Sequence, residues 1–141
     1  MFVQFFGGQT MDAALLLMPM TGFIAFGDPR MVRTVDAIRE ELCQNGFVRR
    51  YGPAAAGLPE PEGVFLACSF WLAECLSRQG RMKEVHEVFD RALSTGNELE
   101  LFSEQFDPVT GELCGNFSQG LTHLSLISAA MALDRISVAW K

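Results

Sequence analysis

The 141-residue chain is 49% hydrophobic and 20% charged, with Lys+Arg 11 against Asp+Glu 17 and a formal net charge of -6. Its length admits one domain, and its apolar content excludes a disordered chain, because enough surface can be buried to offset ordering entropy. The scattered basic residues exclude a nucleic-acid partner, which needs clustered Lys and Arg to displace counterions.

The N-terminal Met1-Phe2-Val3-Gln4-Phe5-Phe6-Gly7-Gly8 has no basic region before its apolar residues and is not expected to act as a signal peptide. Residues 10–20 are apolar on nearly every face and predict a first helix surrounded by protein. A second helix is predicted from Asp28 to about Gln44. Met31, Val35, Ile38 and Leu42 form its one apolar stripe, Asp28 caps it, Pro29 suits its first position, and Asn45-Gly46 reads as a left-handed stop.

Residues 63–76 again read as an enclosed helix, and Arg81 to Leu93 as an amphipathic one with Met82, Val85, Val88, Phe89 and Leu93 inward. Residues 120–133 complete the series as a third enclosed helix. Almost no strand signal is present. The order is therefore inner, outer, inner, outer, inner, with a recurrence of roughly fifty residues that suggests helix pairs in a closed or stacked array. The two outer-to-inner connections, Gly46–Glu62 and Asn97–Gln119, are long, and antiparallel succession predicts both at the same end, where binding and catalysis gather.

No run reaches the roughly 18 to 20 apolar residues that span a bilayer, since Pro19, Gly22, His123 and Ser125 interrupt the best candidates. Cys43, Cys68, Cys75 and Cys114 form no short-spaced pair, and His86 and His123 are far apart. No metal or cofactor is expected. Reduced, buried thiols are, and with them a cytoplasmic location.

Within the second loop, Glu104 stands between Leu101-Phe102 and Phe106. That setting suits a partly desolvated carboxyl with a raised pKa for proton transfer, although an ordinary solvated loop acid would read the same way. Asp107-Pro108-Val109-Thr110-Gly111 is a turn in which Asp caps, Pro sets the backbone and Gly closes. Trp71, among Phe70, Leu72 and Leu76, reads as core, and the methionines read as packing.

The ordered blocks AALLLMPMTGF, GDPR, NGFVRRY, EGVFLACSFWLAECL and SEQFDPVTGELCGNFSQGLTHLSLISAA resemble the C-terminal part of the glucoamylase-like glycoside hydrolases of family 15. The group includes glucoamylases, glucodextranases and bacterial trehalases, and the resemblance covers nearly the whole chain. It implies an (α/α)6 barrel of twelve helices, of which residues 1–141 would supply the C-terminal part. It also implies an inverting hydrolase of α-glucosides, with two glutamates standing roughly 6.5 to 9.5 Å apart to admit a water.

Ser103-Glu104-Gln105 matches the family's second motif, so the resemblance makes Glu104 the general base and sets Gln105 beside the substrate. The general acid belongs to an earlier loop that this sequence does not contain. The chain is thus expected to be a fragment of a longer enzyme or a truncated remnant, inactive alone. Arg50, after Arg49, resembles the arginine that grips sugar hydroxyls, and reads equally as a surface residue. Glu62 offers a sugar contact or a favourable charge at a helix start. The family stretch resembling Asn116-Phe117-Ser118-Gln119 often carries proline where Ser118 stands, and His123 just beyond it is given a pocket-lining role.

Two alternatives compete: a sugar-binding remnant without catalysis, and a tetratricopeptide-like interaction module suggested by residues 70–94. Against the second stand long loops and a period exceeding the roughly 34 residues of such repeats. Removal of flanking helices is expected to expose apolar surface and promote self-association through Leu15, Leu16, Leu17, Leu124 and Ile127.

Overall fold

The computed structural model describes residues 1–52 and 63–139. Four α-helices form its frame: α1 Pro29–Leu42, α2 Leu66–Arg78, α3 Met82–Leu93 and α4 Gly120–Ala139. The first helix expected from the sequence is instead a five-residue 3-10 helix, Ala13–Leu17, capped by the Asp12 side chain, which accepts from the Ala14 N–H at 2.7 Å. Pro19 has no N–H to donate, and the few residues between Asp12 and Pro19 are too short a run to nucleate an α-helix, so tighter turns serve.

Helix α1 begins as read. Asp28 accepts from the Arg30 N–H at 2.8 Å, Pro29 opens the helix, and Met31, Val35, Ile38 and Leu42 are buried. Its end differs. Asn45 (φ 54°) and Gly46 (φ 81°) do not cap the helix but turn a two-residue hairpin between β1 (Cys43–Gln44) and β2 (Phe47–Val48). Two consecutive left-handed residues match the twist of paired strands, and Asn-Gly is the strongest short signal for that turn.

A second, three-stranded antiparallel sheet joins β3 (Val64–Phe65), β4 (Ser103–Phe106) and β5 (Leu113–Phe117). Neither sheet was expected, because two- to five-residue strands inside polar, Gly-rich loops are too short to show a period-two pattern.

Helix α2 is the centre of the core: every residue from Leu66 to Ser77 is buried. It packs against α4, α3, the 3-10 helix, β2 and β4. Trp71 lies in this core as read, its Nε1–H donating to Ser125 Oγ at 2.9 Å. In α3 the buried residues are Val85, Val88 and Ala92, whereas Leu93, expected inside, is 44% exposed. Cys68 and Cys75 are free and buried, and burial pushes both thiols up; Cys43 and Cys114 are free but only half-buried, contrary to expectation. Among the described residues no helix is long and apolar enough to cross a membrane.

Candidate active site

The two long loops meet. Val64 and Phe65, which follow the first loop, pair with Phe106 and Gln105 of the second, and Phe47 packs its ring 5.2 Å from that of Phe106. Approach is close enough that a Cβ at Gly63 would stand 3.0 Å from the Phe106 carbonyl oxygen. Glu62 itself lies outside the described residues.

The Phe102–Ser103 segment that opens β4 is fastened to the start of α4 by three hydrogen bonds. The Gln119 N–H donates to the Phe102 carbonyl at 2.9 Å, and Thr122 Oγ1 donates to the Ser103 carbonyl at 3.0 Å. The His123 ring stands between the two segments: Nδ1 is 2.7 Å from the Gln119 carbonyl and Nε2 accepts from the Phe102 N–H at 3.4 Å. A carbonyl only accepts, so these partners require the tautomer with hydrogen on Nδ1. Both ring nitrogens are thereby engaged by backbone, and the ring packs edge-on against Phe102 at 5.5 Å.

Glu104 follows directly on this anchored segment. Ser103 pairs with Phe117 and Gln105 with Cys114, so Glu104 alone faces two residues, Gly115 and Asn116. This is a β-bulge with Gly115 in the left-handed region (φ 72°), a device that re-aims a side chain. Glu104 is half-buried, and its Oε2 accepts from the Asn116 backbone N–H at 3.0 Å and from Asn116 Nδ2 at 2.9 Å. Its surroundings are therefore more polar than the apolar wedge expected from the flanking residues. Phe102 turns instead into the core, where it meets Phe70. Gln105 sits centrally in the sheet, between Phe65 and Cys114.

The turn beyond β4 is built as read. Asp107 Oδ1 accepts from the Val109 N–H at 2.8 Å, Gly111 closes the turn at φ 77°, and these backbone donors hold the Asp107 carboxyl below its ordinary value.

Arg50 forms a separate cluster. Its Nε donates to Asp12 Oδ1 at 2.6 Å, its guanidinium lies 5.0 Å from the Tyr51 ring centre, and its carbonyl accepts from the Ala13 N–H. Burial acts against the charged guanidinium, and Asp12 more than offsets it, so Arg50 is held above its ordinary value. Asp12 was not singled out from the sequence. Asn116 and Gly115 were also missed; a glycine inside a loop strand is the signal that would have pointed to the bulge. Among the described residues no three His, Cys, Asp or Glu side chains gather as a metal site.

A strand-borne carboxylate held by Asn116 and, in a separate cluster, an arginine anchored by Asp12 make up the candidate site on this helical scaffold. The sequence matches Glycosyl hydrolases family 15 over residues 1–131, and the chain belongs to that family. It is 38% identical over 133 residues to a trehalase of Thermoplasma volcanium, covering 94% of this chain and 21% of the relative. It is 40% identical over 134 residues to a trehalase of Mycolicibacterium smegmatis, covering 94% and 20%, and 40% identical over 136 residues to one of Mycobacterium tuberculosis, covering 95% and 20%. The chain thus spans about a fifth of the curated relatives it matches. Among solved structures, a wild-type glycosidase superposes with a TM-score of 0.72 at 19% identity, covering 91% of this chain and 37% of that one. A glycosidase variant reaches 0.75 at 18% identity with the same coverage. These likenesses show a fold shared with glycosidases.

Proposed function

We propose that the chain is the C-terminal part of the (α/α)6 barrel of an inverting α-glucoside hydrolase, to which it supplies the general base, Glu104. The observation that carries this reading is the placement of Glu104: the carboxylate of the Ser103-Glu104-Gln105 motif projects from a bulge whose strand is tied to α4 at Phe102 and Ser103. Residues on rigid, tied elements hold the tight geometry that proton transfer needs.

In the proposed step Glu104 takes a proton from water as the water oxygen bonds to the anomeric carbon. The glycosidic C–O bond breaks on the opposite face, and the leaving oxygen receives a proton from an acid outside this chain. Arg50, oriented by Asp12, and Gln105 serve as donors to sugar hydroxyls, and Glu62 serves as a further sugar contact. His123 lines the floor by its ring edge, its nitrogens being held by Gln119 and Phe102. The relatives' names favour trehalose over starch oligosaccharides or dextran as the α-glucoside.

Helices α2 and α4 take the inner positions of the barrel, with α1 and α3 outside. The face of α4 turned away from α2 carries Leu124 at 66% and Ile127 at 55% exposure, and supports association with further helices or a second copy. Leu16 is fully buried and Leu15 and Leu17 are half-buried, which favours α4 over these three residues as that surface. Two buried free thiols fit a reducing cytoplasm.

The test is a chimera in which this chain replaces its matching segment in the Mycolicibacterium smegmatis trehalase. The chimera is expected to hydrolyse trehalose, and Glu104→Gln to lower turnover by roughly a hundred- to ten-thousand-fold with folding retained. Near-normal turnover in that variant removes Glu104 from the chemistry. A chimera that binds trehalose without cleaving it favours a sugar-binding remnant.

A further inference from the structure

We infer that Asn116 and Gly115 are a positioning pair that holds one oxygen of Glu104 and leaves the other to act; this rests on the reading of Glu104 as general base. Both Asn116 donors, backbone and side chain, go to the same atom, Oε2, at 3.0 and 2.9 Å. Among the described residues Oε1 accepts from none. Two donors converging on one oxygen stop the carboxylate from rotating between equivalent poses, so a single oxygen faces the reacting water.

Gly115 makes that convergence possible in two ways. Its φ of 72° sets the bulge that turns the Asn116 N–H toward Glu104, and its lack of a Cβ leaves room for the carboxylate. A Cβ there would stand 2.8 Å from Glu104 Oε2 and 3.0 Å from Glu104 Cβ, so the Glu104 side chain would have to shift. The bulge, the missing Cβ and the paired donors all act on one carboxylate, whereas in the rest of β5 Leu113 and Phe117 are exposed and Cys114 is half-buried. Asn supplies a donor with no net charge: it fixes the carboxylate without neutralising it as Arg or Lys would.

The first experiment uses the isotopically labelled 141-residue chain and needs no turnover. Asn116 backbone and side-chain amide resonances are followed through a pH titration with the Glu104 carboxyl carbon. They are expected to move together, and to stop moving in Glu104→Gln. In Asn116→Ala the backbone amide at position 116 should follow the Glu104 carboxyl over a smaller chemical-shift range, as expected when one of two converging donors is lost. Asn116→Ser should restore part of that range, and Gly115→Ala should uncouple the Asn116 amides from Glu104.

The second experiment uses the trehalase chimera. There Asn116→Ala should lower kcat by roughly ten- to a hundredfold with KM within about twofold, the pattern of a misplaced reacting group. Asn116 amides that ignore Glu104, or an Asn116→Ala variant with unchanged amide coupling and kcat, would overturn the pair. Failure of the base assignment appears separately, as turnover in Glu104→Gln.

Discussion

Helices α2 and α4 are written in nearly the same alphabet, yet one is enclosed and the other is not. Helix α2 is buried from Leu66 to Ser77, while α4 buries Thr122, Ser125, Ala129 and Ala132 and exposes Leu121, Leu124, Ile127 and Met131. The small residues of α4 face α2 and the large ones face away. Side-chain size explains this split: small side chains let two helices approach closely, and the bulky apolar residues are left for a partner on the other side. Apolarity on all faces therefore tells that a helix needs neighbours all round, but not that this chain provides them.

The largest effects should come from the enclosed helix. Leu72→Ala, at a fully buried position, is expected to cost about 2 to 5 kcal/mol in chemical denaturation, against under about 0.5 kcal/mol for Leu124→Ala in the monomer. Equal losses at the two positions would dissolve the comparison.

The seam between the helices comes next. Glu74, nearly buried on α2, accepts from Ser128 Oγ at 2.6 Å and from Arg78 at 3.4 Å. Ser128→Ala leaves a buried carboxylate oxygen short of a donor, and a loss of about 1 to 3 kcal/mol is expected at neutral pH. A neutral result would mean that water reaches the seam.

On the open face, Leu124→Asp with Ile127→Asp should leave the melting temperature nearly unchanged while abolishing concentration-dependent association in sedimentation. Persisting association would place the sticky surface elsewhere, with the exposed Phe5, Phe6 and Phe23 the next place to look.

The smallest effect belongs to the exposed start of α1. The Arg30 side chain and backbone N–H hold Asp28 down to about 2, below its unfolded value. A depressed carboxylate adds stability above the unfolded pKa and loses it as pH falls through the folded one. Asp28→Asn should therefore melt slightly lower at neutral pH, with the difference fading toward pH 2. A pH-independent difference would assign the effect to the neutral cap alone.

The helices were legible in the sequence wherever a stripe and its caps agreed, as at Asp28-Pro29 and Met31 to Leu42. Asn45-Gly46 was correctly read as left-handed but served a hairpin, because the choice between helix stop and strand turn depends on whether Phe47 and Val48 find a core to pair over. At the site, the Ser-Glu-Gln motif pointed to Glu104 and the turn after it was correct. Asn116, Gly115 and Asp12 stayed hidden because they meet their partners 12, 11 and 38 residues away in the chain, and only the glycine inside a loop strand left a local trace of it.

The most direct measurement asks whether removing the Glu104 carboxylate leaves a vacancy that a small nucleophile fills. In the trehalase chimera, Glu104→Ala with added azide should regain turnover and release a glucosyl azide of inverted configuration, since azide then attacks the anomeric carbon from the side of the missing base. A Glu104→Ala variant that folds, binds trehalose and stays equally slow with azide, forming no glucosyl azide, would contradict the assignment of Glu104 as the base.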